Sequence, residues 1–113
     1  EACFECVQVC TACAHASLSE EDVAALRRCI TLNQSCADIC SATGRTLTRH
    51  YGFHANLSRV MVEVCREACR ECARACEAHA HHHEHCRVCA EVCRRTEAAC
   101  DAFLDAVRAP LAR

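Results

Sequence analysis

Fifteen cysteines in 113 residues fall on helical spacing, and that phase restricts the fold more than any other feature of the chain. They form four groups: Cys3, Cys6, Cys10 and Cys13; Cys29, Cys36 and Cys40; Cys65, Cys69, Cys72 and Cys76; Cys86, Cys89, Cys93 and Cys100. Neighbours within a group lie 3, 4 or 7 residues apart, the repeat of one face of an α-helix. Four such groups predict four helices, each turning a stripe of thiols inward. The intervening positions are mostly polar, as in Arg66, Glu67, Arg70, Glu71, Arg74 and Glu77, so the sulfurs meet in the interior.

Composition agrees with helix and explains why the thiols must be core. The chain has two Gly and one Pro, and it is rich in Ala, Arg and Glu. Setting aside Cys and the 21 Ala leaves 23 large apolar side chains, too few to fill a bundle alone. The expected fold is therefore all-α, an antiparallel up-down-up-down four-helix bundle with a Cys-lined core, one domain over residues 1–113. Helix 1 runs to about Ala16. Ser19 with Glu20, Glu21 and Asp22 reads as a capped start for helix 2, which runs to about Tyr51 before Gly52. Asn56 reads as the N-cap of helix 3, which reaches about His79, and helix 4 ends near Ala109 ahead of Pro110.

The two ends of the bundle differ. At one end the stripes continue into Thr43, Leu47, Met61, Leu104 and Val107, with Tyr51 and Leu57 nearby, an apolar plug where His50 and His54 read as structural. At the other end stand His15 and the cluster His79, His81, His82, His83 and His85. The expected interior is a thiol channel roughly 20 to 25 Å long, opening at imidazoles. Carried past Cys72 and Cys76, the stripe of helix 3 lands on His79 and His83, the expected metal ligands at the mouth; His81, His82 and His85 read as solvated surface. Cys86, in the first turn of helix 4, is expected to have a thiol pKa lowered by the helix dipole.

Fifteen aligned thiols exceed what small buried hydrophobes require. An odd count, with close neighbours on the same rigid helix, opposes a disulfide scaffold. The iron–sulfur run C-x2-C-x2-C-x3-C is absent, although Cys69, Cys72 and Cys76 approach it. Soft thiolates select Cu(I) or Zn(II). A four-thiolate Zn site carries a charge of −2, and several buried side by side would be costly, whereas one Cu(I) per thiolate is neutral. Cu(I) also accepts two or three sulfurs, so i,i+3 and i,i+4 pairs can each hold an ion. The expectation is a multinuclear Cu(I)–thiolate store with about one ion per Cys. A Zn(II)-thiolate binding protein is the alternative, and a C-x-x-C thiol-disulfide oxidoreductase a more distant one.

The segments C-V-Q-V-C-T-A-C, C-A-D-I-C-S-A-T-G-R, C-R-E-A-C-R-E-C-A-R-A-C and H-H-H-E-H-C-R-V-C-A-E-V-C-R-R, together with L-R-R-C-I, resemble the bacterial cytosolic copper storage proteins over essentially the whole chain. That resemblance implies a cytoplasmic homotetramer serving copper homeostasis by storage and without catalysis, its cysteines kept reduced, with a copper chaperone as candidate donor. Two stripe positions depart from the pattern: Asn33 stands where relatives are expected to carry Asp, and Thr96 where they are expected to carry Cys. Partners of other classes gain no support, since a net charge of −2 with mixed signs suggests no nucleic acid and no apolar run suggests a membrane. The start at Glu1 without Met reads as a fragment or processed form. Val7, Val9, Val60, Val62 and Val64, off the stripes, are expected to leave aliphatic surface for oligomerisation.

Overall fold

The computed structural model describes residues 1–49 and 55–108. It contains α1 (Ala2–Leu18), a short 3-10 turn (Val23–Leu26), α2 (Arg27–Thr48), α3 (Ala55–Glu77) and α4 (Glu84–Arg108). Helix α1 packs on α2 and α4, and α3 packs on the same two, which makes a four-cornered bundle. Sulfur contacts fix the directions. Cys3 faces Cys65 and Cys10 faces Cys72, so α1 and α3 run parallel across the diagonal. Cys40, Cys36 and Cys29 face Cys65, Cys69 and Cys76, so α2 runs against α3. Cys93 and Cys89 face Cys6 and Cys10, so α4 runs against α1.

All fifteen cysteines are buried. Leu26, Leu104 and Val62 are the largest apolar side chains fully enclosed with them. Thiols thus occupy positions that leucine and isoleucine fill in an ordinary bundle. The buried hydroxyls of Thr43 and Thr96 bond back one turn to the carbonyls of Ile39 at 2.7 Å and Val92 at 2.8 Å, and that of Thr96 also lies 3.5 Å from the carbonyl of Ala2 on α1. Gly44 makes room for the ring of Phe4, since a Cβ there would lie 2.8 Å from the ring edge. Outside, Arg94 forks onto Glu77 with two bonds of 2.8 Å, and Arg70 and Arg66 reach Glu97 and Asp101, fastening α3 to α4. Exposed pairs of this kind contribute about 0.2–1 kcal/mol each, so they set register more than they stabilise.

Several boundaries differ from the sequence reading. Ser19 does not open α2; it is the C-cap of α1, its N–H bonding to the carbonyl of Ala16. Helix α2 begins only at Arg27 and has no side-chain cap. The acids that looked like a first helical turn lie in the connector instead, where Asp22 meets His83 of the α3–α4 bend and Glu20 meets His85 in the first turn of α4. Asn56 lies inside α3, not at its N-cap, and its carbonyl accepts a 2.7 Å bond from Arg59. Tyr51, Gly52, His50, His54, Ala109 and Pro110 fall outside the described residues.

The plug is also built differently. Val62 is enclosed where Met61 was expected, a rotation of one residue, and Leu57 and Val107 are exposed. A cavity of about 250 Å³ remains at that end between Cys3, Thr43, Leu47, Val62, Thr96 and Phe103. On α1 the outermost thiols are ten residue steps apart and on α4 fourteen, so the column is about 15 to 21 Å long, shorter than the sequence reading. No helix among the described residues is long and apolar enough to cross a membrane.

Candidate metal centre

The helical stripes bring sulfurs from all four helices into one continuous column. At the plug end Cys65 lies 4.0 Å from Cys3 and 3.6 Å from Cys40. Above it, Cys36 and Cys40 lie 3.8 and 3.7 Å from Cys69. In the middle, Cys6 lies 3.8 Å from both Cys10 and Cys36 and 3.9 Å from Cys93, and Cys93 is 3.7 Å from Cys10. Cys10 then reaches Cys89 at 3.8 Å and Cys72 at 4.0 Å. Near the mouth, Cys29 and Cys76 approach to 3.2 Å.

These separations match metal geometry. Four sulfurs around one ion, at the metal–sulfur distance of about 2.3 Å known for zinc, sit about 3.8 Å apart along a tetrahedral edge. Groups whose sulfurs all lie within 4.8 Å of one another share members: Cys6, Cys10, Cys36 and Cys93; Cys6, Cys36, Cys40 and Cys69; Cys10, Cys72, Cys89 and Cys93. Shared sulfurs are what a multinuclear cluster needs, because each thiolate then bridges two ions. At the mouth, Cys13 groups with Cys29 and Cys86, and also with Cys76 and Cys89.

Asn33 takes a stripe position on α2 and is fully buried. Its carbonyl oxygen accepts from Cys72 at 3.0 Å, Cys89 at 3.3 Å and Cys76 at 3.6 Å. Unlike an aspartate it adds no charge to the core, and it cannot take up protons released by the thiols. Thr96, the other departure, is buried with its hydroxyl committed to the backbone, so it leaves a gap between Cys93 and Cys100 that a weak oxygen donor does not fill.

The mouth carries the main surprise. His85 is the imidazole that meets the thiols, its Nδ1 lying 3.4 Å from Cys13 Sγ and 3.6 Å from Cys86 Sγ. His83 points to carboxylates instead, with Nε2 3.0 Å from Asp22 and Nδ1 3.2 Å from Glu20. Asp22 raises the His83 pKa above its ordinary value, and His83 lowers that of Asp22. His79 donates its backbone N–H to the carbonyl of Cys76, and His81 and His82 are exposed. The reason lies in helix length. Helix α3 ends at Glu77, so its stripe does not extend to His79 and His83 in register, whereas His85 sits one turn before Cys89 on the stripe of α4. Following that second stripe backwards was the signal available in the sequence.

Cys86 also departs from its expected chemistry. It is fully enclosed, and burial pushes its thiol up to about 12 despite its place in the first turn of α4. Desolvation outweighs the dipole, which contributes at most about 2 kcal/mol at a helix terminus. A buried, protonated Cys86 beside a buried Cys89 is poorly suited to thiol-disulfide exchange.

One consequence is a pH limit on the metal-free fold. An unfolded cysteine ionises near pH 8.5, but folded Cys86 holds its proton to about 12. Above about pH 8.5 this thiol is ionised in the unfolded chain and protonated in the folded one, so its contribution to stability is fully present below that pH and falls as pH rises toward 12. Denaturant midpoints of the reduced, metal-free chain should therefore be lower at pH 9.5 than at pH 7.5.

The profile of the copper storage proteins matches residues 1–105. The chain belongs to that family. Its function is copper storage, not catalysis, and the four-helix bundle with a thiol core is the holder. Among solved structures, the family member is similar to the Streptomyces lividans copper storage protein Ccsp loaded with 10 copper equivalents, at 50% identity and a TM-score of 0.90, covering 92% of this chain and 79% of that one. A second structure, of the cytosolic copper storage protein of Streptomyces lividans with five coppers, matches at 48% identity and a TM-score of 0.90, covering 99% and 90%. An uncharacterized cysteine-rich protein of Bacillus subtilis strain 168, YhjQ, is 29% identical over 87 residues, 77% of this chain and 75% of the relative.

Proposed function

We propose that all fifteen cysteines bind Cu(I), about one ion per thiolate, in clusters that share sulfurs along the column. The carrying observation is the overlap of the four-sulfur groups, in which Cys6, Cys10, Cys36 and Cys93 each belong to more than one. Discrete Zn(II) sites would leave such sharing unused and would stack charges of −2 in a dry core. Each arriving Cu(I) displaces a thiol proton, so the stored copper is neutral and uptake weakens as pH falls.

Ions enter at the histidine end. His79 and His83 stand there as outer ligands, although His83 must give up a carboxylate partner to bind, and His85 passes the ion to Cys13 and Cys86. Transfer rates of Cu(I) from a chelator test this order. Replacing His85 with Ala should slow loading about tenfold or more with capacity nearly unchanged, and the double change His79→Ala with His83→Ala should slow it less. Loading at the parent rate in both variants would remove the histidines from uptake.

The reduced state of the thiols suits a cytoplasmic setting, as described for the Streptomyces protein. Residues 1–113 act as one domain, supplied by a copper chaperone and assembled as a homotetramer. Support for assembly comes from an apolar groove between α2 and α3, lined by Leu32, Ile39, Val60 and Val64, with Val60 and Val64 exposed. Val7 and Val9 are half-buried and Val62 is core, so the sequence reading of outward valines holds only for that groove.

A further inference from the structure

The two nitrogens of His85 face different chemistry. Nε2 lies 2.8 Å from Glu20 Oε2, while Nδ1 faces Cys13 and Cys86. An ionised carboxylate only accepts hydrogen bonds, so the proton of the neutral ring sits on Nε2 and the Nδ1 lone pair is left toward sulfur. Without that acceptor the ring could equally present an N–H to the thiols, which binds no copper.

We propose that Glu20 is the positioning residue of copper uptake: it fixes the tautomer and the plane of His85 so that its bare nitrogen faces Cys13 and Cys86. The proposal deepens the reading of His85 as the ligand that passes Cu(I) inward, and it rests on that reading. Glu20 comes from the α1–α2 connector, which explains why the acids after Ser19 are spent there and not on capping α2. The same carboxylate lies 3.2 Å from His83 Nδ1, and Asp22 holds the other nitrogen of that ring at 3.0 Å. The connector therefore treats the two imidazoles oppositely. His83 has both nitrogens on carboxylates and offers a metal no open nitrogen until one contact breaks; His85 has one nitrogen on a carboxylate and the other open to sulfur. Carboxylate–histidine pairs beside metals typically change affinity or activity by about 10–100-fold when the carboxylate is removed.

Two readouts on the reduced full chain test this. Nitrogen-15 NMR of the metal-free protein should show His85 as the Nε2–H tautomer, mixed in Glu20→Ala and kept in Glu20→Gln, whose side-chain carbonyl still accepts. Cu(I) transfer from a chelator should be about tenfold slower in Glu20→Ala at unchanged capacity, and within about twofold of the parent in Glu20→Gln. In the double variant Glu20→Ala with His85→Ala, loading should be no slower than in His85→Ala alone. Parent-like tautomer or rate in Glu20→Ala would overturn the proposal, as would a double variant slowed by the full product of the single effects. Parent-rate loading by His85→Ala would instead refute the uptake role of His85 itself, and the copper half of the proposal with it.

Discussion

Filling the thiol column with Cu(I) should raise the melting temperature of the bundle by at least about 20 °C. A ligand that binds only the folded state stabilises it by about 4 kcal/mol per site when present at a thousand times its Kd. For a chain of 113 residues, one kcal/mol moves the midpoint by a few degrees, so two or three independent sites suffice for the shift. The metal-free bundle starts from a modest base, because its core is made of thiols and alanines with few large apolar side chains: Leu26, Leu104, Val62 and Val92 are the main ones. Differential scanning calorimetry of reduced protein, metal-free and fully loaded, measures the difference. Equal melting temperatures would mean that copper sits outside the core.

The second large effect concerns the middle of the column. Replacing Cys6, Cys10, Cys36 and Cys93 together with Ala removes the sulfurs that other clusters share, so capacity should fall by more than four ions. Loss of four ligands to separate mononuclear sites would remove one ion each and leave the neighbouring groups intact; loss of bridging sulfurs also weakens the clusters of Cys69, Cys40, Cys72 and Cys89. The same variant loses about 1 kcal/mol for each enclosed sulfur, about 4 kcal/mol in the metal-free state, so circular dichroism should show a folded bundle with a lower midpoint. A capacity unchanged from the parent would place the copper elsewhere.

Much of this was readable from phase alone. Four stripes of thiols at intervals of 3 and 4 define the helices, their inward faces and their antiparallel order, because packing must enclose the only continuous faces available. What the residues did not reveal depended on competition between neighbours. Ser19, Glu20 and Asp22 form a good local helix start, but Glu20 and Asp22 gain more by meeting His83 and His85 across the mouth, and the helix begins at Arg27. Cys86 sits where a dipole should acidify it, but its complete enclosure decides the sign. Val62 replaces Met61 in the core through a one-residue rotation, which a pattern of thiols spaced by 3 and 4 does not resolve. The sequence reads His85 as solvated surface because a run of polar histidines hides which one continues a stripe, and only the end of α3 at Glu77 settles the register.

The central claim is that this family member holds copper as Cu(I) on shared core thiolates. An anaerobic titration of the reduced chain with Cu(I) against a chromophoric chelator tests it most directly. About fifteen ions should be withdrawn from the chelator before it colours, one per cysteine, with the free-thiol count falling in step. Saturation at four ions or fewer would contradict the claim and point to isolated thiolate sites of the kind zinc prefers.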